Sequence, residues 1–157
     1  MPLQRLSILL AALWWGGITG LSFVAVPTLF AKLGSPAVAG PVAAQLFSFQ
    51  CWIGLVLGTA LMLVLARQRA WLTADTSPQA LPDLRAALIT MALVALAVLL
   101  AMVQEFGVAR KIVTARATGG DLRLWHSLGS VLVLGQWLCS GAVLWRLAAP
   151  RRSVSPA

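Results

Sequence analysis

The sequence predicts an all-α membrane protein, a bundle of four transmembrane helices, on three observations. Hydrophobic residues make up 60% of the 157-residue chain and charged residues only 10%, less than half of the about 25% usual in a soluble domain. Apolar runs of about 24 residues recur four times, and a helix needs about 20 residues to cross the hydrocarbon core. The 12 basic residues, which leave a net charge of +8, sit in short blocks at the ends of those runs, as topology determinants and headgroup contacts do. No aromatic-interleaved basic stretch accompanies the charge, so no nucleic-acid partner is expected.

Residues 1–150 read as a single four-helix domain. The first span is expected over residues 6–30, with Pro27 in its last turn. Its apolar stretch runs past the about 7–15 residues of a signal-peptide core, which predicts an uncleaved helix. Lys32 and Gly34-Ser35-Pro36 close it. The second span, residues 42–66, is expected to start after Gly40-Pro41, since proline costs little near a helix start, and to end at Arg67 and Arg69. A polar connection from Gln68 to Leu84, holding Asp75, Pro78, Pro82 and Asp83, is the longest loop. The third span covers residues 86–109, with helix continuing toward Thr118. The fourth covers residues 124–147 and leads into a basic tail, residues 151–157, expected to be disordered.

Seven basic residues (Arg5, Arg67, Arg69, Arg85, Arg146, Arg151, Arg152) fall on the face with both termini, and five (Lys32, Arg110, Lys111, Arg116, Arg123) on the other. The positive-inside rule then places both termini in the cytoplasm. Trp71, Trp125 and Trp145 lie near span ends, where an indole anchors at the headgroup zone. Trp14, Trp15 and Trp137 lie deeper, as packing residues. Cys51 and Cys139 differ in depth by about 9 Å, beyond the about 7 Å limit on the Cα separation of a disulfide, and read as two lone thiols.

Gly16 and Gly20 on the first span, and Gly54 and Gly58 on the second, each form a GxxxG pair, which lets a neighbouring helix approach closely. Packing of the first two helices against each other and dimerisation through one of these faces both fit the pattern. No nucleotide-binding glycine loop, CxxC, HExxH or nucleophile elbow is found, which favours a non-enzymatic protein. Glu105 is the only acid within a span. An acid at a helix centre costs about 2.5–3.5 kcal/mol on insertion scales, so it is expected to face protein or water.

Counted inward from the face opposite the termini, Glu105, His126 and Gln45 all lie at about 5–8 Å depth. Gln50 and Ser22 lie somewhat deeper, and Ser127 and Ser130 follow His126. The expected binding site therefore comprises Glu105, His126, Gln45, Gln50 and Ser127, with Glu105 bonded to His126 in a functional site or to Gln45, Gln50 or Trp52 in a purely structural one. Gln104 points about 100° away from Glu105 on an α-helix, so the two are not expected to share a partner.

Trp14-Trp15-Gly16-Gly17 with Pro27 and Phe30, Ala44-Gln45-Leu46-Phe47 followed by Trp52 and Gly54, Gln104-Glu105, and His126-Ser127 together resemble the transmembrane protein 205-like family, over about Leu6 to Trp145. The resemblance implies four membrane helices in a bacterial inner membrane and brings no reaction with it. The family pattern has Asn where this chain has Gln104, whereas Glu105 fits. Two functions follow as expectations. One is a membrane protein that binds or passes a small solute or cation, or supports a membrane complex, with lipid, a second copy or a complex subunit as partner and no cofactor. The alternative is a redox protein holding haem or copper through His126, which as the single histidine offers one axial ligand.

Overall fold

The computed structural model describes residues 2–74 and 80–149, and all of its regular structure there is helical. Four rods result. The first joins α1 (Pro2–Gly20), a π-helical turn over Leu21–Ala25 and α2 (Val26–Leu33). The second is one long helix, α3 (Pro36–Ala74). The third joins α4 (Ala80–Met102), a second π-helical segment over Val103–Ala109 and α5 (Arg110–Thr118), and the fourth is α6 (Leu122–Ala148). Each rod is long and apolar enough to cross a bilayer, and large apolar side chains such as Leu13, Ile53, Leu99 and Leu138 cover the outer surface. The chain is a multi-pass helical membrane protein.

The rods overrun the expected spans, for local reasons. Gly34 adopts φ 64°, a left-handed conformation that ends α2 with its amide on the Phe30 carbonyl. The Ser35 carbonyl then accepts from the amides of Val38 and Ala39 at 3.1 and 2.9 Å, so α3 begins at Pro36. Pro41 consequently lies inside the helix rather than at its start. The Ala37 carbonyl that it leaves without a partner belongs to an exposed residue. The expected Gln68–Leu84 loop is mostly helical, because polar residues beyond the bilayer do not break a helix. Only residues 75–79, with Asp75 and Pro78, separate α3 from α4, and they lie outside the described residues, as does the tail 151–157. Gly119, at φ 76°, reverses the chain after α5. The Asp121 side chain accepts from the Leu124 amide at 3.0 Å to cap α6.

Consecutive rods pack side by side and the first closes on the fourth, so α1, α3, α4 and α6 form a ring. Its two ends differ. At the end with the termini, Gln4 donates to the Leu147 carbonyl at 2.7 Å, Gln68 to Ser7 Oγ at 3.0 Å, and Arg146 to Thr90 Oγ1 at 3.1 Å and the Ala86 carbonyl at 3.2 Å. These bonds tie the first rod to the second and fourth, and the third to the fourth. The core of Ala11, Trp14, Ile18, Leu61, Leu65, Val94, Ala97 and Val143 fills the ring beside this clamp.

Toward the opposite end the ring opens. The segment Leu21–Leu33 follows α3 and makes no backbone approach to α6 among the described residues. The π-helical turn has a visible cause, since the ring of Pro27 presses on the carbonyl four residues back, that of Phe23, in a regular helix. Here the Val26 amide reaches back five residues to Leu21, which widens the turn ahead of the proline.

The second GxxxG pair supplies the closest helix contact. A Cβ on Gly58 would stand 2.5 Å from Val98 Cγ2 and 3.0 Å from the Trp14 ring, and one on Gly54 2.9 Å from Trp14 Nε1. The first pair does not pack. Gly16 and Gly20 are exposed, with nothing within 4 Å of an added Cβ, because Trp14 and Ile18 turn the opposite face of α1 into the core. Cys51 and Cys139 are both free thiols. Trp71 and Trp145 are exposed at rod ends and Trp125 is half-buried.

Candidate functional site

The opening between the rods is a cavity of about 1200 Å³ to which all four contribute. Its inner end is aromatic: Trp137 stacks tilted on Trp15 at 5.8 Å, meets Phe23 edge-on at 5.7 Å, and donates from Nε1 to Thr19 Oγ1 at 2.9 Å. Between the second and third rods, Trp52 and Phe106 meet edge to face at 5.9 Å. The remaining wall carries the polar groups.

Glu105 lies on the second π-helical segment and faces this cavity. Its carboxylate accepts a 2.6 Å hydrogen bond from Ser48 Oγ, across 57 residues of sequence. A hydroxyl donating to a carboxylate at that length is a charge-assisted bond, and it is the one hydrogen bond from a side chain to Glu105 among the described residues. Gln104 lines the same cavity, nine-tenths buried, and its Oε1 meets no donor. Both neighbours face one space because the widened turn turns the chain through less than the α-helical 100° per residue. Ser22, on the other π-helical turn, lines the cavity with its Oγ likewise unpartnered. Arg110 stands at the outer end, its guanidinium 5.7 Å from the centre of the Phe106 ring.

Of the residues expected from sequence, Glu105, His126 and Gln45 share the cavity wall, as does Ser130. Glu105 is not hydrogen-bonded to His126, Gln45, Gln50 or Trp52; Ser48 takes that place. Gln50 and Ser127 do not line the cavity. Gln50 shares the buried face of Gly54 and Gly58, with Oε1 unpartnered, and Ser127 is exposed, one α-helical step off the face that carries His126 and Ser130. Ser48 is a site residue that sequence reasoning missed, though its spacing from Gln45 and Trp52, three and four residues, places all three on one helix stripe. Gln136, 1% exposed with neither amide atom bonded, is a second buried polar group without a sequence signal.

No three metal-ligating side chains gather among the described residues. His126 lines the wall without a second imidazole or a thiolate beside it in that donor set, which does not fit a haem or copper centre built from one chain.

A family model described as a domain of unknown function, DUF4149, matches residues 9–121. The matched region holds Ser48, Gln104 and Glu105 and stops short of α6 with His126. No curated protein and no solved structure matches the chain.

Proposed function

The chain belongs to the DUF4149 family of unknown function, and we propose that it is a non-enzymatic solute-binding protein of the bacterial inner membrane. The observation that carries this reading is the cavity of about 1200 Å³ walled by all four rods, with the single intramembrane carboxylate held at its wall by Ser48. Placing an acid there is unfavourable in lipid, and a structural bond alone would not call for a space larger than the about 300–1,000 Å³ of ordinary ligand pockets. The transmembrane protein 205-like resemblance, carried by Gln104-Glu105 and His126-Ser127, is the finer family reading within the same proposal.

An apolar carboxyl reagent tests the site whatever solute it holds. Dicyclohexylcarbodiimide should add one adduct per chain, on the peptide holding Glu105, and none in Glu105→Gln. Saturating tetramethylammonium should slow the addition at least threefold. Mass spectrometry reads the position, and labelling of loop acids alone, or a rate indifferent to every added solute, would count against the proposal.

The basic residues further support both termini in the cytoplasm, with the cavity opening on the opposite face. A C-terminal alkaline phosphatase fusion should then be inactive and a C-terminal green fluorescent protein fusion bright. The reverse pair of signals inverts the orientation.

A further inference from the structure

Taking Glu105 as the solute-binding group, we propose that the ligand is a lipophilic organic cation that reaches the cavity sideways from the bilayer, between the first and fourth rods. Three independent observations lead there.

The first is sign. The Glu105 carboxylate has one bond, from Ser48, and so retains open lone pairs, while Gln104 presents an unpartnered acceptor oxygen to the same space. Acceptors held ready in a low-dielectric site are complementary to positive charge or to N–H donors. The one fixed cation lining the cavity among the described residues, Arg110, lies over Phe106 at the outer end and is not bonded to Glu105.

The second is size and surface. A bare metal ion needs several oxygen ligands at fixed distances, which a cavity of about 1200 Å³ with one carboxylate does not supply. Phe23, Trp52, Phe106 and Trp137 make much of the wall aromatic, and ring faces attract organic cations while their edges accept apolar groups.

The third is access. Arg110 makes the aqueous mouth positive and disfavours hydrophilic cations there. On the lipid side, Leu21–Leu33 and α6 do not approach each other, and the cavity-lining Phe23, Phe30 and Leu134 are all exposed on the outer surface. A molecule already dissolved in the bilayer meets an apolar entrance that leads to a carboxylate.

Tetraphenylphosphonium and tetraphenylborate share shape and apolar surface and differ in sign. Binding of radiolabelled tetraphenylphosphonium to the full chain in phosphatidylcholine nanodiscs, corrected with empty nanodiscs, should saturate near one per chain. It should weaken at least tenfold in Glu105→Gln, and excess tetraphenylborate or methylammonium should not displace it. Comparison of the two probes on the unaltered chain keeps the test decisive where the variant fails to fold. Equal, Glu105-independent binding of both large ions makes the cavity a plain apolar pocket and overturns the proposal. Glu105-dependent binding of methylammonium in preference overturns the lipophilic class while leaving solute binding in place. Absence of Glu105-dependent binding by either cation, with carbodiimide labelling unprotected, overturns both.

Discussion

Gly58→Leu should lower the melting temperature of the protein in mild detergent more than any other single glycine substitution. Overpacking a close contact costs about 1–3 kcal/mol or more, and at about 2–4 °C per kcal/mol for a chain of this length the shift is about 5 °C or larger. The cause is local. The added Cβ alone would stand 2.5 Å from a methyl of Val98, whose branched side chain has little rotamer freedom, and 3.0 Å from Trp14, which is 2% exposed. Neither neighbour can retreat without disturbing α1 or α4, so the second and third rods must separate. A Gly58→Ala/Val98→Ala pair should recover part of the loss seen in Gly58→Ala, because Val98 is the nearest obstacle. Gly16→Leu and Gly20→Leu serve as controls, since nothing lies within 4 Å of either position. They should stay within about 0.5 kcal/mol of the parent. A fall for Gly16→Leu that matches Gly58→Leu, with a shift to smaller species on size exclusion, would instead place a second copy on that face.

The contrast between the two GxxxG pairs marks where sequence reading reaches and where it stops. Spacing shows that two glycines share a face; it does not show which way the face turns. The four spans were legible because hydrocarbon thickness sets a length that only long apolar runs meet. Glu105 was legible because an acid in such a run is costly, and the common depth of Glu105, Gln45 and His126 followed from the helical rise alone. What a helical wheel could not supply was the effect of the two π-helical segments. It separates Gln104 from Glu105 by a full step, yet both face one cavity. Pro27 hinted at the first irregularity, and no residue type announced the second. Ser48 escapes a sequence reading for a chemical reason: glutamine and histidine look like stronger partners than a serine hydroxyl, although the shorter side chain fits the gap between α3 and the third rod. The bounds of α3 and α4 mislead because Gly40-Pro41 and the polar stretch after Arg67 carry loop composition, while the local hydrogen bonds at Ser35 and the staple from Gln68 to Ser7 favour continued helix.

Deleting Val103 should abolish the Ser48–Glu105 bond and solute binding while leaving the protein folded. A π-helical turn holds one residue more than an α-helical turn, since its bonds span five residues rather than four. Removing one residue there lets the segment Val103–Ala109 close into regular helix without changing the register of α4 against α5. Val103 is exposed, so little packing is lost with it. The regular turn carries the standard hydrogen-bond ladder, and the melting temperature should hold or rise, as expected where local irregularity is kept for function rather than stability. Glu105, however, moves around the helix by up to about 100° and leaves both Ser48 and the cavity wall. Two measurements check this together. Ser48→Ala should cost about 1.5–3 kcal/mol in the parent, the usual worth of a hydrogen bond to a charged group, and near nothing in the deletion background. Carbodiimide labelling of the glutamate should also lose its protection by added cation. A deletion variant that stays folded, keeps the full cost of Ser48→Ala and remains protected would show that the widened turn does not position Glu105.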